Sequence, residues 1–264
     1  MRANTSRRGK LAFDDVASIY DAARPRFGEA LISQLLSQGG LRTGDAVLEI
    51  GAGTGQLTGA LLKQGLQVTA CEPGPRLAAM LHANFAADTG LSVKNSTFED
   101  MAEEHRFLAI FSANAFHWVD PAVGLPKVRR MLRPGTPLVL IWNYPLLADA
   151  ELQFPINREV FTDSLESFRR DPVDYQGQVE ALGAGGRAEL ALSGLFDQFD
   201  WTISREEVVL SRRAYLDLLT SYANGVGVRE ALEGRFQNHL PEEAPLRLDN
   251  YIYSCFAWTS AEVA

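Results

Sequence analysis

Cysteine is scarce in this chain. Only two of its 264 residues are cysteines, Cys71 and Cys255, and each lies inside an apolar segment with the character of a strand. Two cysteines in such segments give no support for a disulfide framework or a zinc site, because both need several cysteines at characteristic spacings. We therefore expect reduced thiols, a cytoplasmic location and no bound metal.

Long apolar runs are also missing. No stretch approaches the roughly 20 apolar residues that a helix needs to cross a bilayer, and the run Leu138–Leu147 is interrupted by an asparagine and a proline. The basic opening Met1–Lys10 is followed by aspartates rather than by an apolar segment, so no signal peptide is predicted. The sequence predicts a soluble protein without a membrane partner.

The chain has no excess of basic residues, since its formal net charge is -8. Binding to a phosphate backbone normally calls for a clustered basic face, so we expect no nucleic-acid partner. Hydrophobic residues make up 46% of the chain and charged residues 22%, which is typical of a folded globular protein. The length is compatible with one fold that carries an insertion, and a homodimer is left open.

Strand-like and helix-like segments alternate through the first half of the chain, which is typical of a parallel sheet with helices on both faces. A change of character follows Tyr144, where Leu146–Arg170 looks helical and Asp171–Arg187 looks like a glycine-rich loop. The predicted strands are Ala46–Ile50, Gln67–Cys71, Leu91–Lys94, Phe107–Ser112, Pro137–Trp142, Phe196–Leu210 and Leu246–Trp258, the last one antiparallel. Helices are predicted at Gly28–Gln38, around Leu57–Leu62, at Pro75–Ala87, at Val123–Leu132, from Ser211, and at Val228–Leu240.

A glycine-rich turn follows the first predicted strand. The segment Val47–Gly55 reads Val-Leu-Glu-Ile-Gly-Ala-Gly-Thr-Gly, which places glycines where a strand turns into a helix and a ligand approaches the backbone. Glu72 ends the next strand, where its carboxylate can accept hydrogen bonds from both hydroxyls of a ribose. Both NAD and S-adenosylmethionine contain such a ribose. Gln56 stands where the dinucleotide fingerprint has its third glycine, and Glu49 stands where a dinucleotide-binding strand is more often apolar, so the combination favours S-adenosylmethionine.

The chain here resembles the seven-stranded class I S-adenosylmethionine-dependent methyltransferases, in particular the small-molecule branch of trans-aconitate methyltransferase-like proteins. The resemblance covers roughly Tyr20–Trp142 and includes Tyr20–Pro25, Asn95–Asp100 and Phe111–Pro121. It implies an α/β, Rossmann-like, mostly parallel seven-stranded sheet with an antiparallel last strand, and the change of character after Tyr144 predicts a helical cap insertion. The implied regions are a lid (1–27), a cofactor-binding core (28–145), a cap (146–192) and the C-terminal part of the core (193–264).

The resemblance and the chemistry of individual residues together predict a set of site residues. Thr97 occupies the place at which the family's commonest pattern has an aspartate for the adenine amino group. A substrate pocket is expected at His117, Trp118, Trp142, Tyr144 and Tyr175. Cofactor contacts are expected from Tyr20, Arg24, Glu49, Gly51, Ala52, Gly53, Thr54, Gly55, Glu72, Pro73, Thr97, Phe98, Glu99, Ala113 and Asn114.

Each of these side chains has a structural alternative. His117 is either a general base that takes a proton from the acceptor or a residue that pairs with backbone groups. The aromatic residues near strand ends are individually more typical of packing, Arg24 is either an anion-binding or an unpaired arginine, and Glu49 is either a cofactor contact or a buried cap.

The function predicted from the sequence is methyl transfer from S-adenosylmethionine to an O, N or C atom of a small molecule, as in secondary metabolism. Three alternatives stay open: an NAD-dependent oxidoreductase, a nucleic-acid methyltransferase, and a cofactor-binding protein that catalyses a rearrangement without methyl transfer. A carboxylate acceptor would need no base, so His117 matters only for acceptors that lose a proton.

Overall fold

The structure is a computed structural model that describes residues 11, 13–102, 107–149, 174–222 and 245–259. Its strands are β1 (Ala46–Ile50), β2 (Gln67–Cys71), β3 (Leu91–Lys94), β4 (Ala109–Ala113), β5 (Pro137–Leu147), β6 (Gln198–Leu210) and β7 (Leu246–Trp258). Its α-helices are α1 (Ala17–Ala23), α2 (Glu29–Gly39), α3 (Thr58–Lys63), α4 (Pro75–Asn84), α5 (Pro121–Met131), α6 (Tyr175–Leu192) and α7 (Arg212–Thr220), and two short 3-10 turns lie at Asp14–Val16 and Phe116–Trp118.

The seven strands form one sheet in the order β3-β2-β1-β4-β5-β7-β6. Pairs along β3-β2-β1-β4-β5 are parallel, and β7 is antiparallel to both of its neighbours, β5 and β6. The predicted fold class is therefore confirmed, including the antiparallel last strand. The strand order reverses between β1 and β4, which is where ligands of open α/β sheets bind, outside the carboxyl ends of the strands.

Apolar side chains cover both faces of the sheet. Leucines of α2 and α3 pack with Val47, Val139 and Phe256 on one face, and α5 and α6 pack with Leu48 and Leu138 on the other. Helices therefore lie on both faces, as the alternation of segments predicts.

The strands β5, β6 and β7 are 11 to 13 residues long, whereas β1 to β4 have four or five residues. The register pairs Ala113 at the end of β4 with Ile141, so residues 142–147 of β5 continue beyond the carboxyl end of β4. They remain paired with β7 as far as Leu147. A three-stranded antiparallel extension therefore borders the edge where the site is expected.

Two predictions around the cap were wrong. Leu146 and Leu147, expected to begin a helix, complete β5, because backbone pairing with β7 continues through them. The glycine-rich stretch expected to be a loop through Arg187 contains most of α6 instead. Two of its glycines lie at close contacts: a Cβ at Gly183 would overlap the ring of Tyr253, and a Cβ at Gly177 would overlap the Asp174 side chain, which caps the helix by accepting from Gly177 N at 2.8 Å.

Some predicted elements lie outside the described residues, namely the helix Val228–Leu240, most of Leu146–Arg170 and the first ten residues of the predicted lid. Within the described residues, no helix has the length and apolar character to span a bilayer.

Candidate functional site

The turn between β1 and α3 brings the glycine motif against two other segments. Gly51 and Gly53 have φ values of 70° and 60°, which side chains rarely tolerate. A Cβ at Gly51 would overlap the Cβ of Ala115, and a Cβ at Gly53 would lie 3.1 Å from the Tyr20 ring. Both positions therefore need glycine, because of their left-handed φ values and because Ala115 and Tyr20 approach the turn closely.

Glu72 faces this turn from the end of β2. Its Oε2 accepts a hydrogen bond of 2.9 Å from Gly53 N, and its Oε1 accepts one of 2.8 Å from Gly74 N. Burial raises the pKa of Glu72 to about 7, although these two N–H donors act in the opposite direction. An ionised carboxylate has about four acceptor sites, so two remain for other donors.

Glu49 lies at the same edge, on β1. It is buried, and its Oε2 accepts a hydrogen bond of 2.5 Å from the hydroxyl of Thr58 on α3. Burial raises the pKa of Glu49 to about 8, and the charge of Glu72 adds to the rise. Two acidic side chains thus lie at the ends of adjacent strands, and both lose part of their charge near neutral pH.

A main cavity opens at this edge and encloses about 630 Å³ of empty space, part of it open to solvent. The predicted cofactor residues that line it are Tyr20, Gly51, Gly53, Glu72, Pro73, Thr97, Phe98, Glu99, Ala113 and Asn114, and Trp118 of the predicted substrate pocket lines it too.

A smaller side cavity adjoins the main one, because Tyr20, Gly51, Ala113 and Asn114 line both. Three further predicted cofactor residues line the side cavity, namely Arg24, Glu49 and Ala52. A guanidinium and a carboxyl group therefore face the same small space.

Arg24 has several partners of its own. It donates from Nη2 to the carbonyl of Ser221 at 3.0 Å, and its guanidinium lies 5.0 Å from the ring centre of Tyr20 and 3.9 Å from that of Tyr222. Its Nε is buried and has no hydrogen-bond partner. Arg24 is thus not an unpaired surface arginine, and it keeps one donor for a further acceptor.

The segment before α1 covers the main cavity. Phe13, which the sequence reasoning did not single out, lines the cavity and packs edge-on against Tyr20 and Trp118, with ring centres 5.7 and 6.0 Å apart. Asp14 fixes the segment by accepting hydrogen bonds from the backbone N–H groups of Arg76 and Leu77 at the start of α4. Asp14 could be seen beside Phe13 in the sequence, but the sequence did not show that it contacts α4.

The loop after β3 borders the other end of the main cavity. Thr97 Oγ1 donates to Asp100 Oδ2 at 2.8 Å and accepts from Asp100 N at 3.2 Å. The hydroxyl that was expected near the adenine is therefore engaged within its own loop. Lys127 of α5, also missed by the sequence reasoning, is buried and donates to the carbonyls of Glu99 and Met101.

Asn114 links the end of β4 to β5. Its φ is 52°, a left-handed value that asparagine tolerates better than most residues. Its amide group donates to Asn143 Oδ1 and accepts from Asn143 N at 3.1 Å. This reciprocal pair fixes the end of β4 against β5.

A second cavity lies next to the 3-10 turn Phe116–Trp118. His117 and Trp142 of the predicted substrate pocket line it, together with residues of α5 and α6. Burial lowers the pKa of His117 to about 4, and the positive charge of Arg24 adds to this, so the imidazole is neutral near pH 7. Val119 lines both this cavity and the main one.

Four predicted site residues line none of these cavities. Thr54 is fully buried and accepts from Gln56 Nε2 at 2.7 Å, and a Cβ at Gly55 would overlap the ring of Phe85. Tyr144 and Tyr175 belong to the apolar core between the sheet and α6. The structure shows how these four residues pack, and their contact with a ligand stays a prediction.

Comparison with known proteins finds similarity to methyltransferases. Residues 47–135 match the family model described as a methyltransferase domain. An uncharacterized methyltransferase of Mycobacterium tuberculosis is 37% identical over 133 residues, which cover 50% of this chain and 52% of that protein. The chain thus spans about half the length of the curated relatives it matches.

Solved structures share the fold. A putative type II methyltransferase from Anaeromyxobacter dehalogenans superposes with a TM-score of 0.62 at 18% identity, over 89% of this chain and 97% of that one. A methyltransferase from Thiobacillus denitrificans, determined in complex with S-adenosyl-L-homocysteine, has a TM-score of 0.53 at 14% identity over 92% and 98% of the two chains. The predicted resemblance is confirmed: the chain has the Rossmann-like fold of these solved methyltransferases, and its residues 47–135 are similar to the methyltransferase-domain model.

Proposed function

We propose that this protein transfers a methyl group from S-adenosylmethionine to an O, N or C atom of a small molecule. The single observation that carries the proposal is the placement of Glu72. Its carboxylate lies at the end of β2, is fixed by the N–H groups of Gly53 and Gly74, and lines the main cavity. Its two remaining acceptor sites suit the two adjacent hydroxyls of a ribose.

The side cavity distinguishes between the cofactors that contain such a ribose. S-Adenosylmethionine ends in an amino acid with a positive ammonium and a negative carboxylate. Glu49 and Arg24 both line this small space, where an ionised Glu49 carboxylate suits the ammonium and the Arg24 guanidinium suits the carboxylate; the Nε of Arg24 is buried without a hydrogen-bond partner. NAD has no such amino-acid group, so the pair favours the methyl donor over the dinucleotide.

The loop Thr97–Met101 and the lid complete the proposed cofactor site. Phe98 and Glu99 line the far end of the main cavity, where an adenine ring would lie, and Lys127 fixes their loop through the carbonyls of Glu99 and Met101. Phe13 and Tyr20 cover the opening. We assign the lid to residues 1–27, the cofactor-binding core to 28–145, the cap to 146–192 and the end of the core to 193–264.

When bound, the cofactor supplies an electrophilic methyl group on a sulfonium. The residues of the chain position the two partners and exclude water, which can lower the barrier by about 7–11 kcal/mol at the upper end. His117 is neutral near pH 7, but the lowering of its pKa to about 4 makes it a weaker base than an ordinary imidazole for the proton that a hydroxyl or amine acceptor loses. We also propose that the methyl acceptor is a small molecule and that the protein is cytoplasmic.

A calorimetric titration with S-adenosylmethionine, S-adenosylhomocysteine and NAD tests the proposed function. Wild-type protein is expected to bind the two sulfur compounds and not NAD. Glu72→Ala removes the ribose acceptor, and Gly53→Val places side-chain atoms against Tyr20 at a left-handed φ of 60°. Both variants are expected to lose affinity by at least about tenfold.

Glu29→Ala is the matched control, because Glu29 is an exposed glutamate on α2. It is expected to bind the sulfur compounds like the wild type. Binding of NAD without binding of the sulfur compounds would contradict the methyltransferase proposal and support the oxidoreductase alternative.

A further inference from the structure

Arg24 stands directly after α1, and its backbone is fixed there. Its N–H donates to the carbonyl of Tyr20 at 3.1 Å and so closes the last turn of the helix. Pro25 follows, and a residue before proline is restricted to extended backbone, which agrees with the ψ of 128° at Arg24. From this fixed point the side chain of Arg24 reaches the side cavity, which it lines together with Glu49.

The end of α7 contacts the same side chain. The carbonyl of Ser221, directly after α7, accepts a hydrogen bond of 3.0 Å from Nη2 of Arg24, across 197 residues of the chain. Ser221 is buried, its N–H donates to the carbonyl of Asp217, and its hydroxyl donates to the carbonyl of Leu218. The acceptor that Arg24 meets is therefore itself held in place by the last turn of α7.

Tyr222 supplies a second contact to the guanidinium of Arg24. The guanidinium carbon lies 3.9 Å from the centre of the Tyr222 ring, against 5.0 Å from that of Tyr20. A ring at this distance attracts the cation and uses none of its N–H donors. Tyr222 lines neither the main cavity nor the side cavity. Its ring therefore acts on a ligand in the side cavity through Arg24 rather than by direct contact.

These contacts leave Arg24 able to bind an anion. A guanidinium has five N–H donors, and the carbonyl of Ser221 accepts from one of them. Among the residues that the structure describes, no carboxylate lies within ion-pair distance of Arg24. A long side chain that is already held in the free protein loses less conformational freedom when a ligand binds, which favours binding. The side cavity adjoins the main one at Gly51 and Asn114, so the anion can belong to a ligand that fills both.

We propose that Tyr222 is a positioning residue for the methyl donor: together with the carbonyl of Ser221, its ring holds the guanidinium of Arg24 in place for the carboxylate of S-adenosylmethionine. This inference rests on the proposed function. A planar guanidinium binds a carboxylate best when its orientation is fixed, because the two N–H bonds are parallel. The end of α7 therefore selects ligands that carry the amino-acid end and contributes nothing to the affinity for their adenosine part.

Tyr222→Leu tests the inference with two ligands that differ at one end. S-Adenosylhomocysteine carries the amino-acid end, whereas 5′-methylthioadenosine keeps the adenosine and the sulfur and lacks that end. Calorimetry is expected to show a loss of about tenfold in affinity for S-adenosylhomocysteine and an unchanged affinity for 5′-methylthioadenosine. Unchanged affinity for S-adenosylhomocysteine, or a loss for 5′-methylthioadenosine of the same size, would overturn the inference.

Two further variants separate the ring contact from the packing of α7. Tyr222→Phe keeps the ring beside Arg24 and is expected to bind S-adenosylhomocysteine within about twofold of the wild type. Tyr215→Leu is the matched control, because it removes a buried ring of α7 that packs with Leu147 and Leu248. It is expected to lower the unfolding temperature and to keep the wild-type ratio of the two affinities. The same change of ratio in Tyr215→Leu as in Tyr222→Leu would overturn the positioning role.

A double-mutant cycle tests whether Tyr222 acts through Arg24. Arg24→Met alone is expected to weaken binding of S-adenosylhomocysteine by about tenfold or more, and adding Tyr222→Leu is expected to cause no further loss. Additive losses would overturn the inference. If S-adenosylhomocysteine does not bind the wild-type protein, the proposed function itself fails. If it binds the wild type and Tyr222→Leu equally well, only the positioning role fails.

Discussion

The carboxylate of Glu72 and the backbone N–H of Gly53 form a hydrogen bond of 2.9 Å between the end of β2 and the turn after β1. This contact joins the two parts of the sequence motif, which lie 19 residues apart in the chain. It also fixes the orientation of the carboxylate toward the main cavity. The cofactor site therefore depends on an acid whose pKa is raised by its own burial.

The affinity for S-adenosylhomocysteine is expected to rise with pH. Burial raises the pKa of Glu72 to about 7 and that of Glu49 to about 8 in the ligand-free protein. The ribose hydroxyls and the ammonium group favour the ionised forms, so binding must displace protons at low pH. Between pH 8.5 and pH 6, calorimetry should show a loss of about tenfold or more.

Glu72→Gln separates the two contributions to this pH dependence. The variant should bind more weakly at all pH values and retain only the part of the dependence that Glu49 causes. An affinity that is independent of pH in the wild type would contradict the role of both carboxylates.

Glu49→Gln is expected to alter the pH dependence of stability. The folded state raises the pKa of Glu49 from an ordinary value near 4.5 to about 8, so it holds a proton that the unfolded chain releases. Its contribution to the free energy of unfolding is therefore present below about pH 4.5 and is lost as pH rises toward 8. Urea unfolding of the ligand-free variant should show a shallower decline, with a gain on the order of a few kcal/mol at pH 8.5. A decline identical to that of the wild type would show that Glu49 is not held protonated.

Lys127→Met is expected to weaken both the fold and the cofactor site. The substitution leaves the carbonyls of Glu99 and Met101 without their ammonium donor, at a cost of about 1–3 kcal/mol for each buried group. Affinity for S-adenosylhomocysteine should fall by about tenfold, because Phe98 and Glu99 line the main cavity. Lys63→Met, at an exposed lysine near the end of α3, is the control and should change neither property. Wild-type affinity of the Lys127→Met variant for S-adenosylhomocysteine would show that the loop held by Lys127 does not contribute to adenine binding.

Two glycines of α6 should respond to alanine with opposite signs. Gly183→Ala places a methyl group into the Tyr253 ring, and such overpacking costs about 1–3 kcal/mol. Gly185→Ala meets nothing within 4 Å and should stabilise the protein by about 0.5–1 kcal/mol through helix propensity. Thermal unfolding of the two variants measures both effects. A stabilising Gly183→Ala would contradict the packing of α6 against β7.

The strands were predictable because their sequences are apolar and bounded by turn residues, so Ala46–Ile50, Gln67–Cys71, Leu91–Lys94 and Leu246–Trp258 have the predicted bounds. The same reasoning wrongly predicted a loop where most of α6 lies, because that segment is rich in glycine. Glycine weakens a helix on its own, and only the ring of Tyr253, more than sixty residues away, shows why one is needed.

The lining of the main cavity was predictable where it is formed by the glycine-rich turn and a strand end, as at Gly53 and Glu72. It was not predictable where a distant side chain completes it. The engagement of Thr97 with Asp100 and the burial of Lys127 under the same loop depend on how α5 packs on the sheet. A periodic pattern predicts that such a helix packs but not which carbonyls its lysine meets.

A crystal structure of the protein with S-adenosylhomocysteine tests the central claim most directly. The account predicts both ribose hydroxyls within about 3 Å of the Glu72 carboxylate, with the amino-acid end of the ligand between Glu49 and Arg24. A ligand whose ribose lies away from Glu72, or whose amino-acid end lies outside the side cavity, would contradict the proposed cofactor site.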